Sequence, residues 1–223
     1  MGKEGQITQQ EAGSLRWLEL VKRTCRDLHE VCILNNVYYA MFGSTAIAAS
    51  TGEMFGRIRD VDAFIEIEQM EVVGKALVDR GYSADVVGRR QSLDMVILFN
   101  ATGRTEINLL SCQKNMDNSF DFSIPGMSPL KLKIPEVMAQ TREGFIDGQL
   151  VFSLKPEALW LFITSSMKLM KLGDVDENRM KKLRKYLEIL DRHIDPQLLQ
   201  EMVSCKPGVY SNKGKLIMLL GEN

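Results

Sequence analysis

Apolar residues recur three or four positions apart at Leu15, Leu18, Val21, Cys25 and Leu28. That is the spacing of one helical face, and it predicts an amphipathic helix over 14–30 with Ser14 as its N-cap. Asn35 and Asn36 break the pattern. VYYAMF at 37–42 is short, β-branched and aromatic and ends at Gly43, so it reads as a strand entering a turn. STAIAAST then places a capping residue, Ser44, ahead of a run of alanines, with Gly52 beyond, the pattern of a short helix. VDAFIEIE at 61–68 is expected as a second strand, and 68–82 as a helix ended by Gly81. SLDMVILFN (92–100) and TEINLLS (105–111) flank ATGR as the two arms of a β-hairpin.

The next segment, CQKNMDNSFDFSIPGMSPLKLKIP, is rich in turn formers, with Pro125, Gly126, Pro129 and Pro135. It is expected to wrap the sheet edge or to add one short strand. IPEVMAQTREGF reads as one helix and QLVFSL as a short strand. KPEALWLFITSSMKLMKLG is a strongly apolar helix with Pro156 in its first turn and Gly173 beyond its end. In DVDENRMKKLRKYLEILDRHI, Met180, Leu183, Leu187 and Leu190 share one face. The alternation of strands and helices predicts an α/β (α+β) domain over 1–135, and the helical patterns a mainly helical region over 136–223. There is no internal repeat.

Composition narrows the function classes only a little. Lys plus Arg (28) nearly balances Asp plus Glu (29) over 223 residues, so net charge does not announce a nucleic-acid binder, although a local basic patch stays open. Cys25, Cys32, Cys112 and Cys205 contain no CxxC pair, and His29 and His193 are the only histidines, which argues against a Cys/His zinc site. The cysteines read as free thiols in a reducing cytoplasm. A polar N-terminus without an apolar core, and no run of ~20 apolar residues, give no expectation of secretion or of a membrane partner.

The chemistry concentrates in FGSTAIAASTGEMFGRIRDVDAFIEI, residues 42–67. Residues i and i+2 of a strand point the same way about 6 to 7 Å apart, so Asp60 and Asp62 project from one face. Two such carboxylates can share hard cations together with phosphate oxygens and water. Gly43 lets a phosphate approach the backbone, the helix start offers unpaired N–H groups, and Ser44 and Thr45 add hydroxyl donors. The plainer reading is two solvated acids at a strand start and a glycine in a tight turn.

Order and spacing favour the first reading. Strand, Gly-Ser, short helix, Asp-x-Asp on the next strand and a polar position on a later strand resembles the nucleotidyltransferase superfamily, which includes DNA polymerase beta, CCA-adding enzymes and aminoglycoside nucleotidyltransferases. The match is specific over 42–64 and extends through the hairpin and the helical tail, roughly 37–190. The resemblance implies a mixed sheet flanked by helices and followed by a helical region. It further implies transfer of a nucleoside monophosphate from an NTP to an acceptor, with Mg²⁺ or Mn²⁺ as cofactor. Gly43 and Ser44 would then bind the triphosphate, and Asp60 and Asp62 the metal.

The third carboxylate of that family falls on Asn108, and an amide cannot act as a general base. Glu106, two residues earlier on the same face, is the candidate substitute as catalytic group and third metal ligand. Either Glu106 supports turnover, or the chain binds nucleotide as a sensor or antitoxin-like partner. Lys168, with Lys171 on the same helical face, lies where the family's helical region carries a phosphate-binding lysine; a lysine snorkelling from an apolar helix is the alternative. Lys182 and Lys185 make a basic face that would suit RNA or only solvent. Arg57 and Arg59 flank the acids, as phosphate contacts or as local charge compensation. The acceptor (small molecule, RNA or protein) and any oligomer are left open.

Overall fold

The computed structural model describes residues 9–54, 56–87, 95–123, 130–170, 176–211 and 216–221. Helix α1 (Gln9–Leu34) buries a stripe of Trp17, Val21, Cys25, Leu28 and Cys32. Ser14 lies inside this helix and is not its cap, because the good helix formers Gln9, Gln10, Glu11 and Ala12 carry the helix upstream through Gly13. Strand β1 (Tyr39–Phe42) runs directly into α2 (Gly43–Thr51), closed by Gly52 at a left-handed φ of 74°. Phe42 occupies the N-cap position with no side-chain cap, so Ser44 sits within the first turn.

The chain returns as β2 (Asp60–Glu66), antiparallel to β1, and continues into α3 (Met70–Asp79). Strand β3 (Ser83–Val87), absent from the pattern-based reading, pairs with β4 (Val96–Asn100), and β4 forms the expected hairpin with β5 (Glu106–Lys114). The portion of that hairpin at 92–94 lies outside the described residues. The turn-rich segment carries two strands, β6 (Phe120–Ser123) and β7 (Leu130–Ile134); Pro125, Gly126 and Pro129 between them lie outside the described residues.

IPEVMAQTREGF does not fold as one helix. It gives a single turn, α4 (Glu136–Ala139), and then β8 (Thr141–Ile146), paired with β9 (Gln149–Leu154). Asp147 and Gly148 both take positive φ, 47° and 78°, the two-residue Asp-Gly turn whose twist matches a hairpin. One helical turn has too few hydrogen bonds to compete with that pairing. Helices α5 (Pro156–Met170), α6 (Glu177–Leu190) and α7 (Pro196–Ser204) follow, with Asp176 and Asp195 as side-chain caps of the last two. Gly173 and Lys171 lie outside the described residues. Strands β10 (Gly208–Ser211) and β11 (Leu216–Leu219) come after α7.

Among the described residues all the strands join one eleven-stranded sheet in the order β11-β10-β7-β6-β5-β2-β1-β9-β8, with β3 and β4 attached through β5. The pairs β2/β5 and β1/β9 are parallel and the rest antiparallel, so the sheet is mixed. The chain beyond residue 135 supplies helices and also four strands of this sheet. Helix α1 meets the face bearing Tyr39, where His29 Nδ1 lies 2.7 Å from the Tyr39 hydroxyl. The other face carries Phe42, Asp62 and Phe64. There Phe42 stacks on Phe64 at 4.0 Å between ring centroids, and Phe162 of α5 lies 6.1 Å from Phe64.

Candidate active site

Strand register gathers the predicted acids. On the parallel strands β2 and β5, Asp60 lies opposite Glu106 and Asp62 opposite Asn108, so four polar side chains form a two-by-two block on one face. All four are partly buried. The next inward position on the same face of β2 is the buried Phe64, which closes the block on its core side. On its other flank Asp62 pairs with Phe42, which brings Gly43 and the start of α2 beside its carboxylate. Gly43 has φ +70°, and a Cβ there would collide with Asp62 Oδ2. The glycine expected to admit a phosphate is thus also required for the aspartate to stand where it does.

Asn108 Nδ2 donates to Asp62 Oδ1 at 2.8 Å. Burial, and then the charge of Asp60, push the Asp62 carboxyl up to about 7; the Asn108 hydrogen bond and the Lys182 charge oppose this, and Glu106 adds to it. A buried carboxylate held beside another acid is short of positive charge. A divalent cation fits the donors present, because Asn108 Oδ1 is buried without a partner among the described residues. Asp60, Asp62 and that amide oxygen make a hard, all-oxygen set. Among the described residues no three His, Cys, Asp or Glu side chains converge as a ready metal cluster. Glu106 instead lines a cleft on the β5 side of the block.

The remaining candidates separate. Ser44 is half-buried in the first turn of α2, beside N–H groups with no side-chain cap. Thr45 is buried, and its hydroxyl donates to the Asp60 carbonyl at 2.8 Å; it ties α2 to β2 and is not open to a phosphate. Arg57 and Arg59 are exposed and line the same cleft as Glu106. Lys168, half-buried on α5, does not line that cleft. Lys182 on α6 lines it and acts electrostatically on Asp62, whereas Lys185 pairs with Glu188 at 2.6 Å on the exposed side of that helix.

Pattern reading missed the device that aims the block. Helix α1 grips the chain just ahead of both strands. Trp17 Nε1 donates to the Ile58 carbonyl at 2.7 Å, Thr24 Oγ1 accepts from Thr105 N–H at 2.9 Å, and Asp27 accepts from Arg104 at 2.5 Å. Only the polar residues interrupting the apolar stripe of α1 hinted at such bonds. Helix α6 is anchored in turn by Glu53, after α2, which pairs with Arg192 and with His193 at 2.9 Å.

In fold the chain is similar to the antibiotic-resistance factor ANT(2'')-Ia, with a TM-score of 0.58 and 12% identity over 82% of this chain and 89% of that one. It is similar to the lincosamide antibiotic adenylyltransferase LnuA in its lincomycin-bound form, at 0.54 and 15%, covering 85% and 100%. An antigenic nucleotidyltransferase-like protein from Paracoccidioides brasiliensis matches at 0.51 and 15%, covering 84% and 86%. At such identities the likeness is one of fold. No protein-family model matches the sequence. No curated protein matches it either.

Proposed function

We propose that this chain, whose fold is that of the nucleotidyltransferases, transfers a nucleoside monophosphate from an NTP to an acceptor hydroxyl and releases pyrophosphate. The observation that carries the reading is the block of Asp60, Asp62, Glu106 and Asn108 in register on one face, with the start of α2 against it. Asp60, Asp62 and Asn108 Oδ1 are the groups that would hold Mg²⁺ or Mn²⁺. When bound, the ion neutralises triphosphate charge and makes the acceptor oxygen a better nucleophile.

The chain's own groups do the rest by positioning. Backbone N–H groups at Gly43 and Ser44, with the Ser44 hydroxyl, bind the outer phosphates at the positive end of α2. Lys182 adds charge on the α6 side. Glu106, the block's remaining carboxylate, takes the proton from the acceptor hydroxyl. That oxygen bonds to the α-phosphorus, the bond from the α-phosphorus to the pyrophosphate oxygen breaks, and pyrophosphate leaves with the electron pair. Lys168 of α5, outside the cleft that Glu106 lines, is a further candidate for a phosphate contact. Replacing Asp60 or Asp62 with Ala is expected to lower metal-dependent pyrophosphate release by about a thousandfold, several kcal/mol of charge stabilisation being lost. Unchanged release in either variant would sink the assignment.

One observation favours a second reading, a nucleotide-binding protein without efficient turnover: Asn108 stands where a third carboxylate would, and spends its N–H on Asp62. Calorimetry with each NTP and Mg²⁺, paired with a pyrophosphate assay over varied acceptors, separates the two. Binding without release selects the second.

A further inference from the structure

The cleft that Glu106 lines has a volume of about 1150 Å³ and lies where β2 and β5 begin, between α1 and α6. Six cationic side chains line it, Arg57, Arg59, Arg104, Arg179, Lys181 and Lys182, against two acidic ones, Glu106 and Asp176. Arg104 is neutralised by Asp27. The other five make no ion pair with a carboxylate among the described residues. Five cations without a carboxylate partner among the described residues, one of them (Lys182) lying over the Tyr186 ring, share one concavity on a chain whose formal net charge is −1; they repel one another and focus a field that attracts anions.

The phosphate cradle at Gly43 and Ser44 does not line this cleft. It lies on the β1 side of Asp62, and the cleft opens on the β5 side through Glu106. The carboxylates therefore stand between two regions that favour anions. Transfer needs two partners, and the α2 side accounts for one of them, the triphosphate. A polycationic acceptor would meet like charge in the second region.

Resting on the transfer reading above, we propose that the acceptor is a phosphate-bearing hydroxyl compound seated in this cleft, with its phosphate on Arg57, Arg59, Arg179 and Lys181 and its hydroxyl beside Glu106. The volume suits a small molecule or a chain end, and Asn100 and Asn178 at the wall offer hydrogen bonds to a sugar or base. The transfer balances as written above: the hydroxyl oxygen replaces pyrophosphate on the α-phosphorus, and the proton goes to Glu106.

Equilibrium binding of a 5'-phosphorylated dinucleotide, a hexose phosphate, the free hexose and tobramycin to the wild type and to the double variant R179Q/K181Q tests this. The phosphorylated probes are expected to bind, and to lose about tenfold in affinity between about 50 and 200 mM salt. The double variant, with an unchanged melting temperature, is expected to weaken them about tenfold, two charge-assisted contacts being lost, while Mg²⁺-NTP affinity changes less than about twofold. Preference between the dinucleotide and the hexose phosphate identifies the source of the phosphate, and either preference supports the proposal. Tobramycin or the free hexose binding as tightly as the phosphorylated probes overturns it. An equal loss of NTP affinity in the double variant also overturns it, because the cleft would then belong to the triphosphate. Failure of the wild type to bind Mg²⁺-NTP, with phosphorylated probes still bound, removes the transfer reading and leaves a phosphate site.

Discussion

At position 43, backbone and side-chain demands coincide. The φ of +70° disfavours any L side chain, and the space a Cβ would take is held by the Asp62 carboxylate. Gly43→Ala is expected to cost about 1 to 3 kcal/mol by denaturant titration, from left-handed strain and overpacking together, and to abolish Mg²⁺-NTP binding by displacing Asp62. A variant with wild-type affinity would mean that Asp62 is not tied to this glycine. Asn108 poses the opposite question. Asn108→Asp trades an amide donor for a third acid beside Asp62. Its melting temperature without metal should fall, since like charges in a buried site oppose each other, and added Mg²⁺ should restore it along with pyrophosphate release about tenfold above wild type. A melting temperature indifferent to Mg²⁺ would count against a metal at this position.

Residue-scale legibility followed the period of the strand. Asp60 and Asp62 share a face because they are two apart, and Glu106 and Asn108 follow the same rule, so both pairs were readable. Their alignment with each other depends on the β2/β5 pairing, which no local pattern encodes. Thr45 and Lys182 exchange importance for the same reason. A hydroxyl in a helix's first turn looks open in sequence yet bonds to the next strand, and a lysine in a charged run, though exposed, lines the cleft beside the acids and opposes the rise of the Asp62 carboxyl.

At the scale of elements, the site depends on how helices are pressed against the sheet. Gly144 of β8 lies so close to α2 that a Cβ would stand 2.6 Å from the Ala49 carbonyl oxygen. Its φ is not in the left-handed region, so the demand there is for space alone. Gly144→Ala should therefore destabilise the protein by about 1 to 3 kcal/mol, seen as a lower denaturation midpoint, and push α2 away from the edge that sets Gly43. An unchanged midpoint would show that the contact relaxes freely. The sequence of β8 reads as helix, because the Asp-Gly turn after it acts through pairing with β9 and leaves no trace in the apolar spacing before it. The clamp from Trp17, Thr24 and Asp27 was equally hidden, since periodicity identifies a helix and its buried face but not the carbonyl or N–H that its polar residues meet.

Over the whole molecule, balanced composition conceals uneven distribution. A net charge of −1 gave no warning of the basic cleft, which exists only once residues 57–59, 104 and 179–182 are brought together. The cysteines are sorted in a similar way. Cys25, Cys32 and Cys112 are buried and Cys205 is exposed, and burial pushes the Cys25 and Cys32 thiols up to about 12. A thiol reagent at a pH of about 8 is expected to label Cys205 rapidly and the other three only after unfolding, because the thiolate is the reactive form. Raising the pH to about 9 should not recruit Cys25 or Cys32, which stay protonated well below their raised values. Rapid labelling of several thiols in the folded protein would contradict the packing of α1 on the sheet.

The claim that organises these expectations is that Asp60, Asp62 and Asn108 form a metal platform facing the triphosphate cradle at α2. A crystal structure with Mn²⁺ and a nonhydrolysable NTP, the metal located by anomalous scattering, measures it most directly. The account predicts manganese bound by both aspartates and by Asn108 Oδ1, with the outer phosphates on the N–H groups of Gly43 and Ser44. Manganese away from Asp60 and Asp62, or a triphosphate lying in the arginine and lysine cleft, would contradict it.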